Sequence, residues 1–242
     1  VAAVLALAGC FGTRPAVEPM PTVTLADSPS DRCLVLLLPG RGDVPRDFAE
    51  AGFAEIAKNQ GIDAEVVAVD SHMGYLLDRS LVDRLEEDVV EPARRRGFEE
   101  IWWVGISLGG MASLLVLEER PEAVDGVVLL APFLGEGETV DAVVETGDLL
   151  AWRPDPALPA GPEGLWRRLW QSLQRRAADP GDGPPLFLGF GDRDRYREAH
   201  RVLARTLPAG RVRVVPGGHD WQAWTLLWSE MTADGVPICR GG

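Results

Sequence analysis

Apolar residues recur along this chain in short unbroken runs, separated by stretches of helical period. Runs at 33–38, 64–69, 100–106, 126–131, 186–190 and 211–215 are rich in Val, Leu, Ile and Phe and show little alternation with polar residues. Such runs predict strands covered on both faces. Between them, 45–60, 79–96, 108–119, 195–206 and 220–232 read as helices. In 79–96 the apolar stripe is Leu81, Leu85 and Val89. Arg94, Arg95 and Arg96 close that helix, and Pro92 predicts a kink in it. Val23, Thr24 and Leu25 predict a short first strand. Regular alternation of strand and helix predicts an α/β fold: a mainly parallel sheet with helices on both faces.

Two stretches break this alternation. Residues 133–184 are rich in Gly, Pro and Asp, with one clear helix at 165–173. Its apolar stripe is Leu165, Trp166, Leu169, Trp170 and Leu173, and Arg167, Arg168, Arg175 and Arg176 lie off it. The insertion falls where the C-terminal side of the sheet is expected, the side on which open α/β folds bind ligands. It is expected to be a cap. Its tryptophans either line an acyl or aromatic pocket, with Trp152, Trp166 and Trp170 as the lining, or pack onto the core. The second stretch is N-terminal. Residues 1–10 are apolar, too short to span a bilayer as a helix, and close on Gly9-Cys10. Residues 11–31 have a tether-like composition rich in Pro, Thr, Ser and Ala. The folded domain is expected over 32–242.

The length of 242 residues suits one domain with a well-buried core. Charged residues make up 25% and hydrophobic ones 46%, as in soluble globular proteins. The net charge of −13 argues against a nucleic-acid partner, which wants a basic face. No His, Cys and Asp spacing reads as a metal site, and no Walker-type loop is present, so neither metal nor cofactor is expected.

The chemistry centres on Gly105-Ile106-Ser107-Leu108-Gly109, which lies between a predicted strand and a predicted helix. That context is the one in which Gly-x-Ser-x-Gly forms a sharp turn with an exposed serine, and glycines at 105 and 109 relieve the crowding. The plainer alternative is a glycine-rich turn with an idle serine. A nucleophilic serine needs a base and an acid to orient it. The elbow resembles that of the α/β-hydrolases, and this resemblance implies that the acid and then the base follow the serine, which sets aside His72 and leaves His200 and His219. His200 sits inside a predicted helix. His219 sits in a loop just past the last strand, which can reach the turn. The acid is expected just after the strand 186–190, where Asp192 and Asp194 are the candidates. Asp194 has the better spacing, and Asp192 suits a helix cap. The N–H groups of Leu108 and Arg41 are the candidate oxyanion donors, Arg41 from the loop Pro39-Gly40-Arg41-Gly42. His72 and Tyr75, after the second long strand, either line a substrate pocket or belong to a polar loop that holds its own backbone.

Ser107, Asp194, His219 in this order and the loop at 39–42 together resemble the α/β-hydrolase superfamily, over about 32–232. One departure is Pro39, where many members carry His-Gly. The resemblance implies a serine hydrolase acting through an acyl-enzyme. Esterases, thioesterases, lipases and some peptidases share this apparatus, and the expectation adopted among them is hydrolysis of a small-molecule carboxylic ester. The rival expectation is a non-catalytic binding module on the same fold. Leu7-Ala8-Gly9-Cys10 resembles the lipobox of bacterial lipoproteins, although no basic residue precedes it. That resemblance implies a lipid on Cys10 and a place on the cell envelope, with a cytoplasmic enzyme as the alternative. Export would permit Cys33 and Cys239 to pair.

Overall fold

The computed structural model describes residues 14–28, 32–157, 159–181 and 183–239. Seven strands form one sheet: β1 (Thr22–Ala26), β2 (Cys33–Leu38), β3 (Glu65–Val69), β4 (Glu100–Ile106), β5 (Gly126–Leu130), β6 (Leu186–Gly191) and β7 (Val212–Val215). Their order is β1-β3-β2-β4-β5-β6-β7. β1 runs antiparallel to β3, with Thr22 opposite Val69, and every other pairing is parallel. The central strands β2, β3 and β5 are buried at every position, as unbroken apolar runs require. β7 departs from the expectation: it is an edge strand, and Val214 is half exposed.

The helices are α1 (Pro45–Glu50), α2 (Phe53–Asn59), α3 (Met73–Leu77), α4 (Leu81–Leu85), α5 (Glu91–Arg96), α6 (Leu108–Glu119), α7 (Glu138–Thr146), α8 (Pro162–Ala178), α9 (Arg197–Ala204) and α10 (Trp221–Ala233). α1, α2 and α10 pack together on the sheet. There Phe53 stacks on Trp228, whose indole N–H donates to the Phe53 carbonyl at 2.9 Å. A second group, α4, α6, α8, α7 and α9, is joined by contacts in that sequence. α6 is buried from Leu108 to Leu117 because it is covered on its outer side as well as by the sheet.

Three expectations are corrected by this architecture, and that for Pro92 is made specific. The helix over 45–60 is two helices, because Gly52 takes φ +72° and breaks it. The helix expected over 79–96 is interrupted just where Pro92 marked a disturbance. A π turn at Glu86–Val90 joins α4 to α5 just ahead of it, and this widening absorbs the missing N–H and the ring's bulk. Residues 14–28 are not a tether: β1 belongs to the sheet, and Arg14–Pro21 is fastened along its edge. The insertion holds a second helix, α7, and is bolted to the domain. Arg168 of α8 bonds Glu119 of α6 at 2.9 Å, and α7 packs on α9.

Cys33, at the start of β2, is bonded to Cys239, with Cα atoms 5.6 Å apart. The bridge closes a separation of 206 residues and pins the chain beyond α10 to the sheet. Cys239→Ser is expected to lower stability by about 2–4 kcal/mol, or roughly 5–15 °C in melting temperature. Calorimetry of this variant and of the reduced wild type checks it, and the two should agree.

Candidate active site

β4 drives straight into the elbow. Ser107 adopts φ +49°, ψ −109°, a region that residues with a Cβ rarely occupy. Backbone bonds hold it there from both sides. Its N–H donates to Leu130 O at 3.0 Å, and its carbonyl accepts from the Phe133 N–H at 2.8 Å. The flanking glycines are required by close approach. A Cβ on Gly105 would strike the Gly109 carbonyl, and one on Gly109 would strike the Leu38 carbonyl. Ser107 therefore sits at the N-terminus of α6, where the helix favours negative charge.

Asp194 lies three residues past β6 and is fully buried. Its Oδ1 accepts from the Tyr196 N–H at 2.7 Å, and its Oδ2 lies 2.7 Å from His219 Nδ1. His219 Nε2 is in turn 2.9 Å from Ser107 Oγ. A carboxylate partner at Nδ1 assigns the proton there, which leaves Nε2 free to accept from the serine hydroxyl. Burial pushes the Asp194 carboxyl up, but the bonds from His219 and from the Tyr196 N–H outweigh it. The group is held below its ordinary value and stays a carboxylate.

Asp192 has a different task. Its Oδ1 accepts from the Gly217 N–H at 3.0 Å, and Arg193 N–H donates to the Gly217 carbonyl at 2.9 Å. These bonds clasp the loop that carries His219. The expected helix cap is not seen: α9 begins after Tyr196, away from Asp192.

The loop at 39–42 runs beside the serine. A Cβ on Gly40 would lie 3.5 Å from Ser107 Cβ, so this loop passes close to the elbow. Asp43 closes this loop and accepts the Trp221 indole N–H at 3.1 Å. Burial raises the Asp43 carboxyl above its ordinary range, and the Trp221 bond partly offsets this.

Several residues here carried no sequence motif. The His219 ring is gripped by two ring edges, Tyr196 at 5.1 Å and Trp224 at 5.2 Å. Phe133 meets Tyr196 at 5.4 Å and Trp166 at 5.3 Å, so Trp166 joins the aromatic surroundings while being mostly buried. Tyr196 and Trp224 stand two and five residues after Asp194 and His219, and that proximity was the only available signal. Trp170 is corrected to core: it is fully buried, and its indole N–H donates to Leu134 O at 2.9 Å. Trp152 is buried too, with Gln174 donating to its carbonyl at 2.8 Å. His72 and Tyr75 are turned to other partners. His72 Nδ1 caps α3 by accepting from the Gly74 N–H at 3.1 Å, and burial, with Arg14 nearby, lowers its pKa. Tyr75 is fully buried and donates to Val17 O at 2.9 Å. The polar-loop reading thus describes them, and pocket lining does not. Cys10 lies outside the described residues.

His200 is the least expected neighbour. It is fully buried in α9, and its Nε2–H donates to Pro132 O at 2.8 Å. Pro132 precedes Phe133, whose N–H holds Ser107, so His200 supports the elbow from behind. Its Nδ1 has no partner among the described residues, and burial lowers its pKa to about 4. A histidine near pH 6.5 when unfolded and near 4 when folded binds more protons unfolded, so stability falls as pH drops between those values. The expected loss is roughly 3 kcal/mol. Urea midpoints measured from pH 7 to 4 check it: His200→Gln keeps a donor for Pro132 and should flatten this slope.

With fold and site in place, the class is an α/β fold with a serine at a nucleophile elbow. The family model described as "Alpha/beta hydrolase family" matches residues 35–237, and the chain belongs to that family. Solved structures agree on the fold. Est1E from Butyrivibrio proteoclasticus is 18% identical, over 88% of this chain and 90% of that one, with a TM-score of 0.57. The S-formylglutathione hydrolase FrmB from Staphylococcus aureus is 13% identical, over 91% and 97%, at 0.59. The carboxylesterase CesB from Bacillus subtilis is 16% identical, over 94% and 91%, at 0.54. No curated protein matches the chain by sequence.

Proposed function

We propose that this hydrolase cleaves small-molecule carboxylic esters through Ser107, His219 and Asp194. The observation that carries the reading is the unbroken chain of short contacts, 2.7 Å from Asp194 to His219 and 2.9 Å from His219 to Ser107. In this reading His219 Nε2 takes the proton as Ser107 Oγ attacks the ester carbonyl. The oxyanion is met by the N–H groups of Arg41 and Leu108, each such donor being worth about 3 kcal/mol. His219 then returns the proton to the leaving alcohol, and the acyl group stays on Ser107. Water, deprotonated by His219, releases the acid. Asp194 holds the imidazole and stabilises its charged form without taking the proton itself. The carboxylesterase named among the similar structures agrees with ester chemistry, and its likeness to this chain is one of fold.

The reading extends to place. Cys10 is the proposed lipid attachment site, at the end of the apolar run, with the domain outside the inner membrane. The Cys33–Cys239 bridge supports an oxidising compartment independently.

Labelling by a fluorophosphonate, together with hydrolysis of a short-chain ester panel, tests the chemistry. Wild type should label, and Ser107→Ala should lose both labelling and turnover while keeping its melting temperature. Asp194→Asn should cost about 10⁴ in kcat, whereas Asp192→Asn should keep most of it. A well-folded wild type that neither labels nor turns over any ester overturns the reading in favour of a binding module.

A further inference from the structure

We infer that the sheet edge carrying Ser107 is held against a phospholipid surface, an orientation that rests on the proposed lipid at Cys10. β1 pairs antiparallel with β3, with Thr22 opposite Val69, so the chain enters β1 at the C-terminal end of β3. Because β2 to β7 are parallel, that is the end from which Ser107 and Asp194 emerge. Asp70 follows β3 directly. β3 lies two strands from β4 across β2, which is about 10 Å at the usual strand spacing.

The segment ahead of β1 is fastened to this edge. The Arg14 guanidinium makes two bonds of 2.7 Å to Asp70. The Arg14 carbonyl packs so closely on Gly74 that a Cβ there would strike it. Tyr75 donates to Val17 O, Met20 N–H donates to Asp88 at 2.8 Å, and Asp70 N–H donates to Pro21 O at 2.8 Å. Arg14 cannot swing to the far edge without breaking these bonds. Four residue steps separate it from Cys10, which span at most about 14 Å even when extended. A lipid at Cys10 therefore brings the Asp70 corner, and with it the catalytic edge, to the surface.

The surface found there suits that position. Val17 on the strap is 49% exposed, and Leu77 at the end of α3 is 65% exposed, joined through Tyr75. Arg79 follows Leu77 by two residues and is exposed, as are Asp78 between them and Glu18 beside Val17, while Arg14 is neutralised by Asp70. The apolar tips therefore stand in a rim of mixed charge, which suits a zwitterionic headgroup layer. Esters that partition into the surface would then meet Ser107 without crossing bulk water.

The test uses the full lipidated chain in phosphatidylcholine vesicles that carry a shallow spin-labelled lipid. With Cys10 acylated and Cys33 bonded to Cys239, an introduced cysteine is the one free thiol. Leu77→Cys and, separately, Val17→Cys place a fluorophore on the proposed face. Gly210→Cys places it in open space at the opposite edge, before β7. Expected are a blue shift and loss of emission at 77 and 17, with 210 unchanged. Vesicle binding with equal quenching at all three, or quenching at 210 alone, overturns the orientation and leaves the lipid in place. A chain that does not float with vesicles overturns the lipid reading and the orientation together.

Discussion

Ser107 holds a backbone conformation that residues with a Cβ avoid, at a cost of about 1–3 kcal/mol, and its surroundings are arranged to enforce it. Leu130 O and the Phe133 N–H grip the peptide groups on either side. Gly105 and Gly109 allow β4, β2 and α6 to approach more closely than any side chain would permit. Ala131, which also takes a positive φ, turns the chain after β5 so that Phe133 can reach the serine. His200 secures this turn through Pro132. The elbow is therefore a property of three strands and two helices acting together.

The buried acid is the second dependency. A carboxylate removed from water is costly unless hydrogen bonds replace its hydration. Asp194 receives one bond from the Tyr196 backbone and one from His219, and so remains ionised despite full burial. The same bonds set its direction. Asp192, two residues earlier and half exposed, serves by tying down the loop on which His219 rides. Ring edges from Tyr196 and Trp224 then leave the imidazole little freedom to turn.

The insertion behaves differently from a free lid. Trp170 is spent on the core, Trp166 packs on Phe133, and α8 is anchored to α6 by Arg168 and Glu119. Its aromatic stripe is thus mainly cohesive. At the other end of the chain, the strap from Arg14 to Pro21 covers the loop after β3, so His72 and Tyr75 hold structure together there.

Much of this was legible in the sequence wherever the signal is local. Unbroken apolar runs marked the strands, because burial on both faces leaves no room for polar alternation. The elbow was legible because its glycines and serine are consecutive. The order of Ser107, Asp194 and His219 followed from which strand ends precede them. Asp194 was favoured over Asp192 on spacing alone, and only the fold separated their roles, since a clasp on Gly217 and a bond to His219 are contacts across 25 residues. His200, Tyr196 and Trp224 near the serine, the strap on Asp70 and the fate of Trp170 were likewise decided by tertiary packing. Each depends on what a side chain meets from another part of the chain, and hydrophobic pattern records only that a residue is buried, not against what.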